Sequence, residues 1–298
     1  MIWLRSSSPS RSSPARRSCS EGGALKMDPR FAQLPRSLQE RSKTMRLGDD
    51  VPALVAHPDW DGSEQVPAVL WMHGRTVNKE LDPGRYLRWV RAGIGAIAID
   101  LPGHGERYEV SYQGPAKTLD LIEQARGEID AVLGSIRELG VFDMSRLMIG
   151  GMSAGGMVTL SRLCSPHPFL GACVEGTTGN LKDLYSPPPG MPGRPWPVEH
   201  DPDDVARVDP MQNLDGFEPI PLLALHNEGD EMVPIAGQRK FLDALRAHYE
   251  SKGADSSLIE LRTFSETGAP GEHAGFGKYA NDAKNLQLAF IQRVLGVD

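Results

Sequence analysis

A serine hydroxyl becomes a nucleophile when a base takes its proton, and the base needs a carboxylate to fix its tautomer. The pentapeptide Gly151-Met152-Ser153-Ala154-Gly155 offers such a serine. The apolar run Leu147-Met148-Ile149 leads into it, and Met157, Leu160 and Leu163 follow at helical spacing. A strand, a tight turn and a helix would project the Ser153 hydroxyl from the edge of a sheet. Glycines two residues to either side leave room where a Cβ would strike the neighbouring strand or helix. The helix N-terminus would add free amides for a developing oxyanion. In a chain with 32 glycines the pentapeptide alone is equally compatible with chance, so its weight depends on partners.

On this kind of scaffold the acid follows the serine and the histidine comes last. Asp230 lies in His226-Asn227-Glu228-Gly229-Asp230-Glu231-Met232-Val233-Pro234, and His273 in Gly271-Glu272-His273-Ala274-Gly275-Phe276. Both segments leave apolar strands, where ligand sites of open parallel sheets form. His273 is the only histidine after the final strand. Glu228, Glu231 and Glu175 compete for the acid role; Asp230 ranks first because its strand exit immediately precedes the histidine loop. For the oxyanion, the donors expected are the N–H of Ala154 and that of Arg75, with Thr76 second, where Gly74 lets the loop turn closely. Without the other residues His73-Gly74 would read as a plain turn. His57, His167 and His200 read as surface residues, His104 as a loop brace, and His226 as shaping the acid loop.

These residues need a scaffold, and the apolar runs supply one. Val51–Ala56, Ala68–Met72, Ile94–Ile99, Arg146–Ile149, Gly171–Val174, Ile220–Leu225 and Ser257–Phe264 read as strands. Most are continuously apolar, as for parallel strands covered on both faces. Helical spacing runs through Lys117–Leu139, from Pro234 through Phe241, Leu245 and His248, and from Tyr279 to Val294 with Gly296 as the stop. Strands alternating with helices imply a mainly parallel sheet between helical layers, and Arg46–Ala56 should pair antiparallel at its edge. Residues 177–217, rich in proline and glycine, interrupt the alternation after the expected sixth strand and read as a cap or lid. Tyr185, Met191 and Trp196 within it, with His73, are candidate pocket residues, although Trp and Met could equally pack the segment down.

Composition narrows the classes. A net charge of -7 argues against nucleic acid or an anionic membrane surface as main partner, and no apolar run is long enough to span a bilayer. Cys19, Cys164 and Cys173 are too few for a disulfide framework and form no metal-binding pair, which suits a cytoplasmic protein without a metal. Residues 1–26 carry five basic side chains against Glu21 and much serine, so disorder is expected there. A transit peptide is one reading; a start of the protein proper at Met27 is preferred. Residues 27–298 then form the folded domain.

The segments HGRT, DLPGHGER, GGMSAGG, HNEGDEMVP and GEHAGF resemble the α/β-hydrolase superfamily, in particular its dienelactone-hydrolase-like and prolyl-oligopeptidase-like serine hydrolases. The likeness runs from about Met45 to the C-terminus. It implies an α/β-hydrolase fold, an eight-stranded, mostly parallel sheet with helices on both faces and a short proline-rich cap. It also implies a Ser153–His273–Asp230 mechanism needing no cofactor. Dienelactone hydrolases carry cysteine where this chain has Ser153. The prolyl-oligopeptidase relatives' N-terminal propeller finds no room before Met45. Both departures favour small esters. The family's acid loop usually begins His-Gly, where this chain has His226-Asn227. The expectation is a carboxylesterase acting on a small-molecule ester; homo-oligomers are compatible with it. The alternatives are a small peptidase or amidase and a catalytically silent binding protein.

Overall fold

The computed structural model describes residues 29–190 and 195–297. The disorder expected over residues 1–26 and the pocket candidate Met191 lie outside the described residues. The sheet is built from β1 (Ser42–Leu47), β2 (Val51–Ala56), β3 (Val66–Met72), β4 (Gly95–Ile99), β5 (Phe142–Met152), β6 (Gly171–Glu175), β7 (Leu222–Asn227) and β8 (Ile259–Phe264). Its order is β1-β2-β4-β3-β5-β6-β7-β8. β2 pairs antiparallel with both β1 and β4, and every later pairing is parallel. The eight-stranded, mostly parallel sheet is therefore present, with the antiparallel hairpin at its edge.

Among the described residues eight α-helices accompany it: α1 (Arg36–Gln39), α2 (Pro83–Arg91), α3 (Thr118–Leu139), α4 (Ala154–Arg162), α5 (Leu181–Tyr185), α6 (Pro202–Val208), α7 (Ile235–Ser251) and α8 (Ala280–Leu295). Strand side chains alternate between two cores even where every residue is apolar. Leu70, Ile97, Ile149 and Ala224 meet α3, α4 and α7 on one face. Trp71, Ala98, Met148 and Leu223 meet α2 and α8 on the other. This two-sided burial explains the continuous hydrophobicity of the central strands. In α3 the stripe Ile122, Ile129, Val132 and Ile136 is buried throughout, each side chain contributing about 1.5–3 kcal/mol. Gly140 and Gly296 end α3 and α8 in the left-handed conformation that glycine adopts freely.

Several bounds and burials differ from the sequence reading. β5 begins at Phe142, four residues earlier than expected, because Phe142 pairs with Val66 at the start of β3. The insertion at 177–217 contains α5 and α6. The fully buried Asp209 carboxylate anchors it, accepting hydrogen bonds from the backbone of Leu181, Lys182 and Met211. His57, expected at the surface, is buried against Phe142 and Trp60. Its Nδ1 accepts the Asp59 N–H, and its Nε2 faces the Val141 carbonyl.

Candidate active site

Ser153 stands between β5 and α4 with φ 51° and ψ −116°, a conformation that costs energy for a residue with a Cβ. Its N–H is held by the Glu175 carbonyl at 2.8 Å. A Cβ on Gly151 would lie 2.4 Å from the carbonyl carbon of Gly155, and one on Gly155 would lie 2.3 Å from the Met72 oxygen. Both glycines are thus required for the turn to pack against β3 and α4.

His273 Nε2 lies 2.9 Å from Ser153 Oγ, and His273 Nδ1 lies 2.7 Å from Asp230 Oδ2. Asp230 follows β7; its other oxygen accepts the N–H groups of Met232 and Val233 at 2.9 and 2.8 Å, which leaves Oδ2 aimed at the imidazole. Asp230 is almost wholly buried and His273 nearly so. Around His273, the loop is strapped to β7 by Asn227. Its side-chain amide donates to the Glu272 carbonyl at 2.6 Å and to the Gly275 carbonyl at 2.9 Å. The Glu272 carboxylate in turn accepts from the backbone of Thr267 and Gly268. Asn227 was seen from the sequence only as a departure from His-Gly, and its strap on a loop 45 residues away carried no local signal.

The rival acids are occupied elsewhere. Glu228 is exposed and accepts from Thr263 and Ser265, and Glu231 is exposed. Glu175 is buried and receives both terminal nitrogens of Arg85 at 2.6 and 2.8 Å, with Gln287 donating at 3.0 Å. Burial would lower the Arg85 pKa, but Glu175 and Asp82 together raise it above the ordinary value. Arg85, Gln287 and their grip on Glu175 had no counterpart in the sequence reading.

A cavity of about 590 Å³ opens beside Ser153 and is lined also by Arg75, Thr76, Ala154, Trp196 and His273. The loop after β3 that carries Gly74, Arg75 and Thr76 is tied down at both ends. His73 Nδ1 donates to the Gly74 carbonyl at 2.6 Å, and its Nε2 accepts the Leu101 N–H at 3.0 Å. Burial pushes the His73 pKa down to about 4, so the ring is neutral. At the far end the wholly buried Lys79 ammonium meets Asp100 at 2.9 Å, Glu80 at 2.9 Å and Glu106 at 2.6 Å. Burial alone would lower its pKa, yet these carboxylates raise it above the ordinary value. Of the pocket candidates, Trp196 reaches the cavity. Tyr185 is buried beside Trp196, with ring centroids 4.9 Å apart, and His73 supports the loop from beneath. His226 shapes the acid loop through Nε2 and the Val233 carbonyl at 2.8 Å, and His104 braces its own loop through Nδ1 and the Pro102 carbonyl.

No group of three or more metal-binding side chains occurs among the described residues, and no helix among them is long and apolar enough to cross a membrane.

Residues 88–298 match the family model of the prolyl oligopeptidase family. The putative esterase YitV of Bacillus subtilis (strain 168) is 25% identical over 209 residues, spanning 63% of this chain and 77% of that protein. The esterase YjfP of Escherichia coli (strain K12) is 24% identical over 230 residues, spanning 74% and 83%. Among solved structures, a puromycin-hydrolyzing peptidase of Mycobacterium tuberculosis superposes with a TM-score of 0.69 at 20% identity. That match covers 89% of this chain but 41% of the peptidase, so this chain corresponds to less than half of it. The family match extends over most of the chain and includes the β5–α4 turn, the acid loop and the histidine loop: this chain belongs to the prolyl oligopeptidase family and is a serine hydrolase with the α/β-hydrolase fold.

Proposed function

We propose that the protein is a carboxylesterase that cleaves esters of small molecules through an acyl-enzyme on Ser153. The observation that carries this reading is the continuous relay Asp230–His273–Ser153, at 2.7 and 2.9 Å, opening onto the cavity. His273 Nε2 takes the proton of Ser153 Oγ as the oxygen attacks the acyl carbon. Asp230 holds the Nδ1–H and stabilises the imidazolium. The N–H of Ala154, at the start of α4, and that of Arg75, with Thr76 as the other choice, receive the tetrahedral oxyanion. His273 then protonates the departing alkoxide, and water repeats the sequence to release the acid.

Ester rather than amide substrates are favoured because both curated relatives are named esterases and cover most of their own lengths. The second reading, a peptidase or amidase, has the family match and the structural likeness to a peptidase behind it. The assignment is tested by comparing p-nitrophenyl acetate with an aminoacyl anilide: faster turnover of the anilide overturns the esterase reading. A fluorophosphonate probe should label Ser153 in folded wild-type protein, and absence of the adduct would remove the nucleophile assignment.

A further inference from the structure

The cavity beside Ser153 is lined by three cationic side chains, Arg75, Arg85 and Lys284, and by the carboxylates of Asp82 and Glu175. Arg85 is bound to Glu175 and Asp82, and Lys284 meets Asp82 at 3.1 Å. Arg75 makes no ion pair among the described residues, and its Nη1 is buried without a hydrogen-bond partner. The guanidinium is set against the face of Trp196, 5.7 Å from the ring centroid. That contact favours a cation and limits its wandering. Two further buried polar atoms in the same cluster, Trp196 Nε1 and Tyr185 Oη, have no partner either. Burial lowers the Arg75 pKa, but an arginine remains charged at neutral pH. A charged planar fork that lines the cavity without an ionic partner is complementary to a carboxylate.

We propose that Arg75 is a specificity-determining residue that receives the free carboxylate of an anionic ester, so that half-esters of dicarboxylic acids are the preferred substrate class. In turnover the acyl C–O bond at the esterified end breaks, water supplies the hydroxyl, and the alcohol leaves with the proton. The carboxylate on Arg75 is unchanged. Turnover rests on the Ser153 reading above; the carboxylate site rests on Arg75 and its neighbours alone. A neutral carbonyl would also accept from the guanidinium, but it would leave the arginine charge uncompensated.

The test follows acid release in a pH-stat for monomethyl succinate, glutarate and adipate against methyl butanoate, pentanoate and hexanoate. Within each pair a terminal methyl is replaced by a carboxylate. The best half-ester should exceed its neutral counterpart in kcat/KM by about ten- to a hundred-fold. Arg75→Met should bring that ratio close to one, and Arg75→Lys should restore part of it. The ratio is the readout because both esters of a pair share the same tetrahedral chemistry, so a change in oxyanion stabilisation cancels. A wild-type ratio near or below one, or a ratio that Arg75→Met does not move, overturns the proposal. Binding of adipate and glutarate to Ser153→Ala, measured by calorimetry and compared with Ser153→Ala/Arg75→Met, separates the two readings. Arg75-dependent binding without turnover or a fluorophosphonate adduct removes the Ser153 assignment and sustains the carboxylate site. Turnover with no dicarboxylate binding does the reverse.

Discussion

The two sides of the cavity are built on opposite principles. On the side of β5, β7 and the histidine loop, the polar groups of the relay are paired: Asp230 uses both oxygens and His273 both nitrogens. On the side of the β3 loop and the 195–200 segment, buried polar atoms of Arg75, Trp196, His200 and the nearby Tyr185 have no partner. Pairing fixes geometry, which a reaction common to all substrates requires. Unmet donors are costly when buried and are repaid by a ligand that supplies the acceptor. Under the function proposed here, one side is finished before substrate arrives, and the other is completed by it.

Breaking the finished side should have the largest effect. Asp230→Asn keeps the shape but cannot hold the productive tautomer of His273, so kcat should fall by about 10⁴-fold. Ester hydrolysis followed with p-nitrophenyl acetate checks this, and a loss below about ten-fold would return the acid role to one of the glutamates. Lys79→Met attacks the support of the other side. It leaves the buried Asp100 and Glu80 carboxylates without their cation, and should cost about 3–5 kcal/mol in chemical denaturation. An unchanged denaturation midpoint would mean that the backbone N–H groups of Lys79 and Glu106 suffice for Asp100.

The same loop carries a pH sensitivity. His73 is neutral in the fold, with a pKa of about 4 against an ordinary 6.5. Protonation would put a hydrogen on Nε2, where the Leu101 N–H already points. The unfolded chain binds the proton first, so the His73 contribution is fully present above 6.5 and is lost as pH falls towards 4. The gap corresponds to ~3 kcal/mol. Denaturation midpoints taken at neutral pH and at about pH 5 should converge more in His73→Gln than in wild type. Equal acid sensitivity in both would assign the loss to other groups such as His226, whose pKa is also lowered by burial.

The sequence revealed the relay because its information is local: a glycine-flanked serine after an apolar strand, then an acid and a histidine on successive strand exits. The glycines at 151 and 155 are required for the steric reason inferred from their spacing, and Gly296 ends its helix as the pattern implies. What stayed hidden depends on partners distant in the chain. Arg85 meets Glu175 across 90 positions, and Gln287 reaches it across 112. A lysine such as Lys79 reads as a surface residue until three carboxylates are seen around it. His57 misled for the same reason, since its burial is set by Phe142 far along the chain. The 177–217 insertion announced itself by proline and glycine, but its anchor, Asp209, is indistinguishable in sequence from any surface aspartate.

Asn227 offers the finest cut between the two sides, because it belongs to the finished one yet does not line the cavity, and its side-chain amide binds the histidine loop rather than the side chains of the relay. Its amide donates to the carbonyls of Glu272 and Gly275 on either side of His273, while its own Oδ1 is buried without a partner. Asn227→Gly restores the residue usual in the family's acid loop and removes both donations, each worth about 1 kcal/mol net. The histidine loop should then sample positions from which Nε2 no longer meets Ser153 Oγ. The expected loss is about ten-fold in kcat, with KM and the pH profile unchanged, since neither the cavity nor the charge of the relay is altered. A rise in KM at constant kcat would instead place the effect on substrate binding, and the separation between the two sides would fail at this residue. Asn227→Asp should be worse than Asn227→Gly, because it sets a carboxylate against two carbonyl oxygens in a buried position.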